Sequence, residues 1–126
     1  MSSLNKVLLI GRLGLAPEMK TTSQGEPLAR LRLATRQFRR KDGAREEETE
    51  WHDVTVFGRL AEQCQTYLDK GRLLFVEGRI RSSTWSDRDG KKRLSREVVA
   101  RRIDFLDSPS ASATGGATTV GDDRAL

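Results

Sequence analysis

The sequence predicts an all-β fold: a five-stranded Greek-key barrel with one helix between strands 3 and 4, followed by a flexible tail. Three observations favour this architecture. Apolar and polar side chains alternate along several segments, as in half-buried strands. One segment has its apolar residues at helical spacing, and residues 107–126 offer almost no apolar surface that folding could bury. The 126 residues are enough for one domain of ordinary size.

The first two strands precede a charged loop. Residues 4–13 have a nearly continuous apolar middle, and glycines and Pro17 then indicate an irregular stretch. Residues 28–38 alternate, with apolar side chains on one face and a basic row on the other. Residues 39–49 are predicted to form a charged loop with the Asp42-Gly43 pair at its tip.

The third strand, residues 50–58, places two kinds of side chain on opposite faces. Val54 and Val56 share the parity expected of a core face, and His52 has the same parity, which predicts that it is buried. The outward face carries Trp51, Asp53, Thr55 and Phe57.

The predicted helix spans residues 59–70 and ends before Gly71. The apolar residues at helical spacing are Leu60, Cys64, Tyr67 and Leu68. Cys64 and Tyr67 are therefore predicted to belong to the core.

Residues 73–85 and 94–106 are the last two predicted strands, joined by a turn at residues 86–91. One face of the fourth strand carries Leu74, Val76 and Ile80, and the other carries Arg79, Arg81 and Trp85. Three strands, a helix and two strands is the element order of the oligonucleotide/oligosaccharide-binding (OB) fold.

The outward face of this predicted barrel combines large aromatic rings with cations. Trp51, Phe57 and Trp85 lie on it together with Arg79 and Arg81. Bases stack on exposed rings while arginines meet phosphates, so this combination is typical of proteins that bind single-stranded nucleic acid. The alternative is a sandwich with both sheet faces buried, which the charges on this face argue against.

Composition excludes several other classes of protein. The net charge is +5, and the residues before the tail are more basic than the chain as a whole, which favours a polyanionic partner. One cysteine and one histidine allow no intrachain disulfide and no zinc site made of these residue types. With no nucleophile–base pair visible, we expect a binding protein without enzymatic activity, metal or cofactor. No signal segment or membrane-spanning apolar run is visible, so we expect a soluble cytoplasmic protein with no membrane partner.

The sequence resembles the bacterial single-stranded DNA-binding proteins from about residue 4 to residue 106. The segments that carry the resemblance are Asn5-Lys6-Val7, Ile10-Gly11-Arg12-Leu13-Gly14, Pro17-Glu18, Leu33-Ala34-Thr35, Thr49-Glu50-Trp51-His52, Val56-Phe57-Gly58-Arg59-Leu60-Ala61-Glu62, Tyr67-Leu68-Asp69-Lys70-Gly71, Val76-Glu77-Gly78 and Thr84-Trp85. The resemblance implies a nucleoid-associated homotetramer that coats single-stranded DNA without sequence preference during replication, recombination and repair. It divides the chain into an OB-fold DNA-binding domain, residues 1–106, and a flexible tail, residues 107–126.

Candidate site residues follow from the resemblance and from the outward faces. The stacking residues that the resemblance implies are Trp51, Phe57, Trp85 and, just after the second strand, Phe38. The implied phosphate contacts are Arg59, Lys70 and Arg81, and the basic outward faces add Arg12, Arg30, Arg32, Arg36 and Arg79. The row that begins at Arg30 is equally consistent with a solvated surface. For the subunit interface, the resemblance implies His52, and the apolar first strand adds Val7 and Leu9.

The end of the sequence departs from the family. Family members usually close an acidic segment with Asp, Ile, Pro and Phe, whereas this sequence ends Gly121-Asp122-Asp123-Arg124-Ala125-Leu126. In the family that tip docks repair and replication enzymes, so we expect weak or no binding of tip-recognising proteins, as in a paralogue specialised for coating DNA. The alternative function is an OB-fold, primosome-like adaptor whose basic face docks a replication protein. Several stacking aromatics argue against it.

Overall fold

A computed structural model describes residues 2–107 and shows a closed barrel of five strands, as the sequence predicts. Its elements are β1 (Val7–Leu13), β2 (Glu18–Thr21), β3 (Pro27–Lys41), β4 (Ala44–Phe57), α1 (Gly58–Tyr67), β5 (Leu73–Ser86) and β6 (Lys92–Phe105). The barrel order is β1-β5-β6-β4-β3, and β1 closes it by pairing with β3 at Arg12 and Leu13. Of the predicted tail, the structure describes Asp107, which accepts a hydrogen bond from Arg72 Nε at 2.9 Å. Residues 108–126 lie outside the described residues.

The core lies inside the barrel and under α1. Leu33, Val54, Val56, Leu74 and Val76 are fully buried, which is the parity that the alternation predicts for strands β3, β4 and β5. The Cys64 side chain on α1 joins them, as predicted, and its burial raises the pKa of the thiol to about 12.

The predicted core position of Tyr67 is wrong. Helix α1 ends at Tyr67, short of the predicted end at residue 70, and the ring of Tyr67 is exposed. Its centroid lies 6.0 Å from that of Phe105 in a tilted pair on the outer surface.

The predicted loop at residues 39–49 is also wrong. Strands β3 and β4 continue to the end of a long hairpin, where Lys41 pairs with Ala44. Asp42 and Gly43 have φ values of 52° and 79°, the left-handed pair that a two-residue hairpin turn requires. Oppositely charged residues pair across the arms: Arg39 lies directly opposite Glu46, and its Nε is 3.2 Å from Oε2 of the diagonal neighbour Glu48. The hairpin therefore remains a ladder although its arms are exposed.

Two smaller differences concern β2 and β5. The segment predicted to be irregular contains β2, whose four residues pair antiparallel with β3, from Glu18 opposite Arg30 to Thr21 opposite Pro27. Ile80 shares the parity of Leu74, but it lies past the end of the packed core and is exposed.

Candidate nucleic-acid interface

One continuous outer face of the barrel carries most of the predicted site residues. The register of β3 against β4 places Arg32 opposite Asp53 and Ala34 opposite Trp51, so these side chains lie on the same face. The register of β5 against β6 places Arg81 opposite Glu97, and β6 runs parallel to β4 beside Thr55. Side chains of one parity fill the core, so the alternate side chains of the same strands lie together on the outer surface.

Trp51 lies at the middle of this face, and 46% of it is exposed. The guanidinium carbon of Arg32 lies 5.3 Å from the centroid of the Trp51 ring, within cation–π range. Arg32 Nε is also 3.4 Å from Asp53 Oδ1. Trp51 thus presents a large ring to solvent beside a cation that already has a carboxylate partner.

Gly14 lies against the Cζ3–Cη2 edge of the Trp51 ring, a contact that was not predicted from the sequence. A Cβ atom at residue 14 would lie 2.4 Å from Cζ3 and 2.7 Å from Cη2 of the indole. The Gly14 amide donates to the Arg32 carbonyl at 2.9 Å, which fixes this loop beside β3. The absence of a side chain at Gly14 therefore allows the indole to lie against the loop.

The substitution Gly14→Ala is expected to displace the Trp51 indole with little loss of stability, because the obstacle is the far end of a movable side chain. In a Trp85→Phe background, Trp51 is the only tryptophan of the chain. Its emission should shift to the red and acrylamide should quench it faster, while the melting temperature stays within a few degrees. Unchanged emission and quenching would contradict this role of Gly14.

Phe57 lies at the end of a network of side chains that joins three strands. The guanidinium carbon of Arg81, on β5, lies 5.5 Å from the Phe57 ring centroid. Arg81 Nε donates to Glu97 Oε2 on β6 at 3.0 Å, and the Thr55 hydroxyl on β4 donates to the other oxygen of Glu97. Burial opposes the ionisation of Glu97, but the hydrogen bonds from Thr55 and Arg81 outweigh it and lower the pKa of this carboxyl below its ordinary value. Arg81 is therefore held in place by an ionised partner.

The long β3–β4 hairpin extends the same face with Phe38. The Phe38 ring is exposed, and the guanidinium carbon of Arg45 lies 4.0 Å from its centroid. Arg36 lies two residues before Phe38 on β3, closer to the barrel, and its Nη1 is 3.4 Å from Glu47 Oε2. The predicted stacking residue and the predicted cation therefore lie together on the hairpin arm.

Trp85 lies on the second hairpin, formed by β5 and β6, and 51% of it is exposed. It pairs with Arg93 across the hairpin, and Arg93 Nε contacts Asp87 Oδ2 at 2.9 Å. The structure places Trp51, Phe57, Phe38 and Trp85 on the outer parity of their strands, as predicted, although they occupy the barrel wall and two separate arms.

The other predicted cations lie at several different positions on the surface. Arg59 and Lys70 are exposed, at the start of α1 and in the turn after it. The Gly71 amide next to Lys70 donates to the Leu13 carbonyl, adjacent to the Gly14 loop. Arg79 is exposed on β5. Arg12 instead binds the Gly71 carbonyl at 2.9 Å and Asp107 at 3.3 Å, so its cation is already engaged.

The predicted interface residues do not share the parity of the stacking rings: His52 has the opposite parity to its neighbour Trp51 on β4, and Val7 and Leu9 lie on β1. His52 is half-buried, and its Nε2 is 2.9 Å from the Thr35 hydroxyl oxygen. Val7 and Leu9 are partly buried and pack against the barrel core. Their neighbours on β1, Leu8 and Ile10, are the side chains that point outward.

Within residues 2–107, the structure contains no group of three or more His, Cys, Asp or Glu side chains placed to hold a metal ion. No helix in that same part of the chain has the length and apolar character needed to cross a membrane.

Residues 4–106 match the sequence model of the family described as the single-strand binding protein family. A protein of Chlorobaculum tepidum named single-stranded DNA-binding protein 1 is 39% identical over 118 residues, which cover 92% of this chain and 71% of that protein. A protein of the same name from Xylella fastidiosa is 43% identical over 108 residues, which cover 84% of this chain and 79% of that protein.

Solved structures give the same result. A Plasmodium falciparum SSB, solved in complex with ssDNA, superposes with a TM-score of 0.78 at 30% identity, covering 85% of this chain and 98% of that one. A deletion mutant of the Thermus aquaticus single-stranded DNA binding protein gives a TM-score of 0.72 at 38% identity, covering 82% of this chain and 51% of that one.

Proposed function

This chain belongs to the single-strand binding protein family, whose members bind DNA without enzymatic activity, and on that premise we propose that it binds and coats single-stranded DNA. The observation that supports this most is the outer face on which Trp51, Phe57 and Phe38 each lie under an arginine. A ring beside a cation offers a surface for a base and a charge for the adjoining phosphate.

The proposed mechanism is coverage of an extended strand. Bases stack on the exposed rings and phosphates contact the arginines and lysines around them, which keeps the strand unpaired and shields it. Ring faces do not read base edges, so binding has little sequence preference. In this proposed role the protein acts in replication, recombination and repair, at the nucleoid in the cytoplasm.

A titration of dye-labelled oligo(dT) with the full chain tests this function, with oligo(dA), a mixed sequence and a duplex of equal length as comparisons. We expect similar affinities for the single strands and much weaker binding of the duplex. The logarithm of the binding constant should fall linearly with the logarithm of salt concentration, by about 0.7 for each phosphate contact. A chain that does not bind oligo(dT), or binds it equally at all salt concentrations, would favour the adaptor function instead.

We further propose that the protein is a homotetramer and that β1 contributes to the interface. Strand β1 pairs with β5 along Val7–Arg12 but reaches β3 only at Arg12 and Leu13, so most of its other edge has no strand partner within residues 2–107. Leu8 and Ile10 are 59% and 58% exposed, and Ile10 lies opposite the half-buried Phe75. An open edge flanked by apolar side chains is a surface that a second copy can cover.

The substitution Ile10→Asp is expected to dissociate the assembly, because it introduces a charge at the centre of this apolar surface. Sedimentation velocity at micromolar concentration should show a tetramer for the parent chain and smaller species for the variant. Leu94→Asp is the matched control, since Leu94 is also exposed but lies on the β5–β6 hairpin, away from β1. A monomeric parent chain, or an Ile10→Asp variant that remains tetrameric, would contradict the proposed interface.

A further inference from the structure

Carboxylates occupy the face on which a strand's phosphates are proposed to lie. Asp53 is the partner of Arg32, which covers Trp51, and Glu97 is the partner of Arg81, which covers Phe57. A surface that binds a polyanion gains nothing from an acidic side chain unless that side chain acts on the cation beside it.

The two carboxylates differ in how firmly they are held. The Glu97 side chain is 19% exposed, receives two hydrogen bonds from Arg81 and is anchored by the Thr55 hydroxyl. The Asp53 side chain is 69% exposed, and its contact with Arg32 is a single 3.4 Å approach. Glu97 is therefore a fixed partner, whereas the Asp53–Arg32 pair is an exposed ion pair of the weak, exchangeable kind.

We propose that Asp53 competes with phosphate for Arg32 and so sets the affinity of this face for single-stranded DNA. In the DNA-free protein the Asp53 carboxylate partly neutralises the guanidinium beside Trp51, and a phosphate of the bound strand displaces it. Because Arg32 also lies over the indole, this exchange takes place at the point where a base stacks. Asp53 thereby lowers the affinity for single-stranded DNA and favours release of the strand. The proposal rests on the proposed function.

The variant Asp53→Asn keeps the shape of the side chain and removes its charge. In the oligo(dT) titration we expect it to bind about threefold to fivefold more tightly at low salt, the range that loss of an exposed charge interaction gives. The salt slope should become steeper by up to about 0.7, since Arg32 then acts as a complete phosphate contact.

Two comparisons separate this effect from a general change in charge. Glu62→Gln alters the net charge equally but lies exposed on α1, and it should change the affinity less than twofold. In an Arg32→Gln background, Asp53→Asn should have almost no effect, because Asp53 acts through Arg32.

The outcomes are distinct. The proposal is overturned if Asp53→Asn binds no more tightly than Glu62→Gln does, if it binds more weakly than the parent chain, or if its gain persists without Arg32. Thermal melts of the variants exclude unfolding as the cause. Failure of the parent chain to bind oligo(dT) would instead overturn the proposed function, so the two failures are distinguishable.

Discussion

Replacing Trp51 with alanine is expected to weaken oligo(dT) binding by about 1–3 kcal/mol, which is the usual contribution of one base stacked on an aromatic side chain. The ring is exposed, lies beside Arg32 and is supported by Gly14, so it is already positioned for stacking before a strand binds. Preorganisation lowers the entropic cost of binding, and its loss adds to the loss of ring area.

Trp85→Ala is the natural comparison for Trp51→Ala. Trp85 is similarly exposed, but it lies on the outer part of the β5–β6 hairpin, away from the barrel wall. We therefore expect a smaller loss of affinity for Trp85→Ala than for Trp51→Ala. In both positions phenylalanine should restore part of the binding, because it retains a smaller stacking face.

The chain has two tryptophans, so single substitutions assign the fluorescence to one site at a time. With Trp85→Phe, quenching on addition of oligo(dT) reports Trp51, and with Trp51→Phe it reports Trp85. Equal affinity of Trp51→Ala and the parent chain, with the fold intact by circular dichroism, would exclude stacking at Trp51.

The period of two in a β-strand explains why the outer face could be predicted from the sequence. Val54 and Val56 must fill the core, and that requirement places Trp51 and Phe57 on the other face of β4. Parity alone does not ensure exposure, because Thr55, predicted on the same outward face, is buried where Glu97 of β6 contacts it. The barrel class could be predicted from the order of the elements, since three strands, a helix and two strands is the element order of the OB fold.

The wrong predictions for Ile80 and Tyr67 have the same physical source, which is that a local pattern does not reveal where a strand or helix stops packing against the core. Ile80 continues the parity of β5 past the end of the core, and Tyr67 continues the helical spacing to the last residue of α1. The hairpin at residues 39–49 contains almost no apolar residues, so the available signals were its Asp42-Gly43 turn and the basic and acidic runs on either side of it.

Sequence patterns did not predict contacts between residues that are far apart in the sequence. Asp53 appeared as a charge on the outward face, but its pairing with Arg32 depends on the register of β3 against β4. The roles of Glu97 and Gly14 could not be predicted, because each depends on a residue distant in the sequence, Arg81 for Glu97 and Trp51 for Gly14.

The substitution Gly11→Ala is expected to lower the free energy of unfolding by about 2–3 kcal/mol, the largest effect on stability that we predict. Gly11 is buried where β1 approaches β3 to close the barrel, and a Cβ atom there would lie 2.2 Å from the Ala34 carbonyl oxygen. A backbone carbonyl within a strand pair cannot rotate away, so β1 must move outward and the seam of the barrel opens. The reduced chain entropy of alanine in the unfolded state offsets only about 0.4–1 kcal/mol of this cost.

Urea unfolding at one fixed protein concentration measures the effect, since assembly makes the apparent stability depend on concentration. Gly14→Ala provides the matched control: it is the same substitution three residues later, but its Cβ meets only the movable edge of the Trp51 ring. Gly11→Ala should shift the midpoint to lower urea while Gly14→Ala leaves it nearly unchanged. Equal midpoints for the two variants would show that the approach of β1 to β3 does not limit the side chain at residue 11. A loss of stability in Gly11→Ala alone would instead show that the close approach of the β1 backbone to Ala34 is needed to close the barrel that carries Trp51 and Phe57.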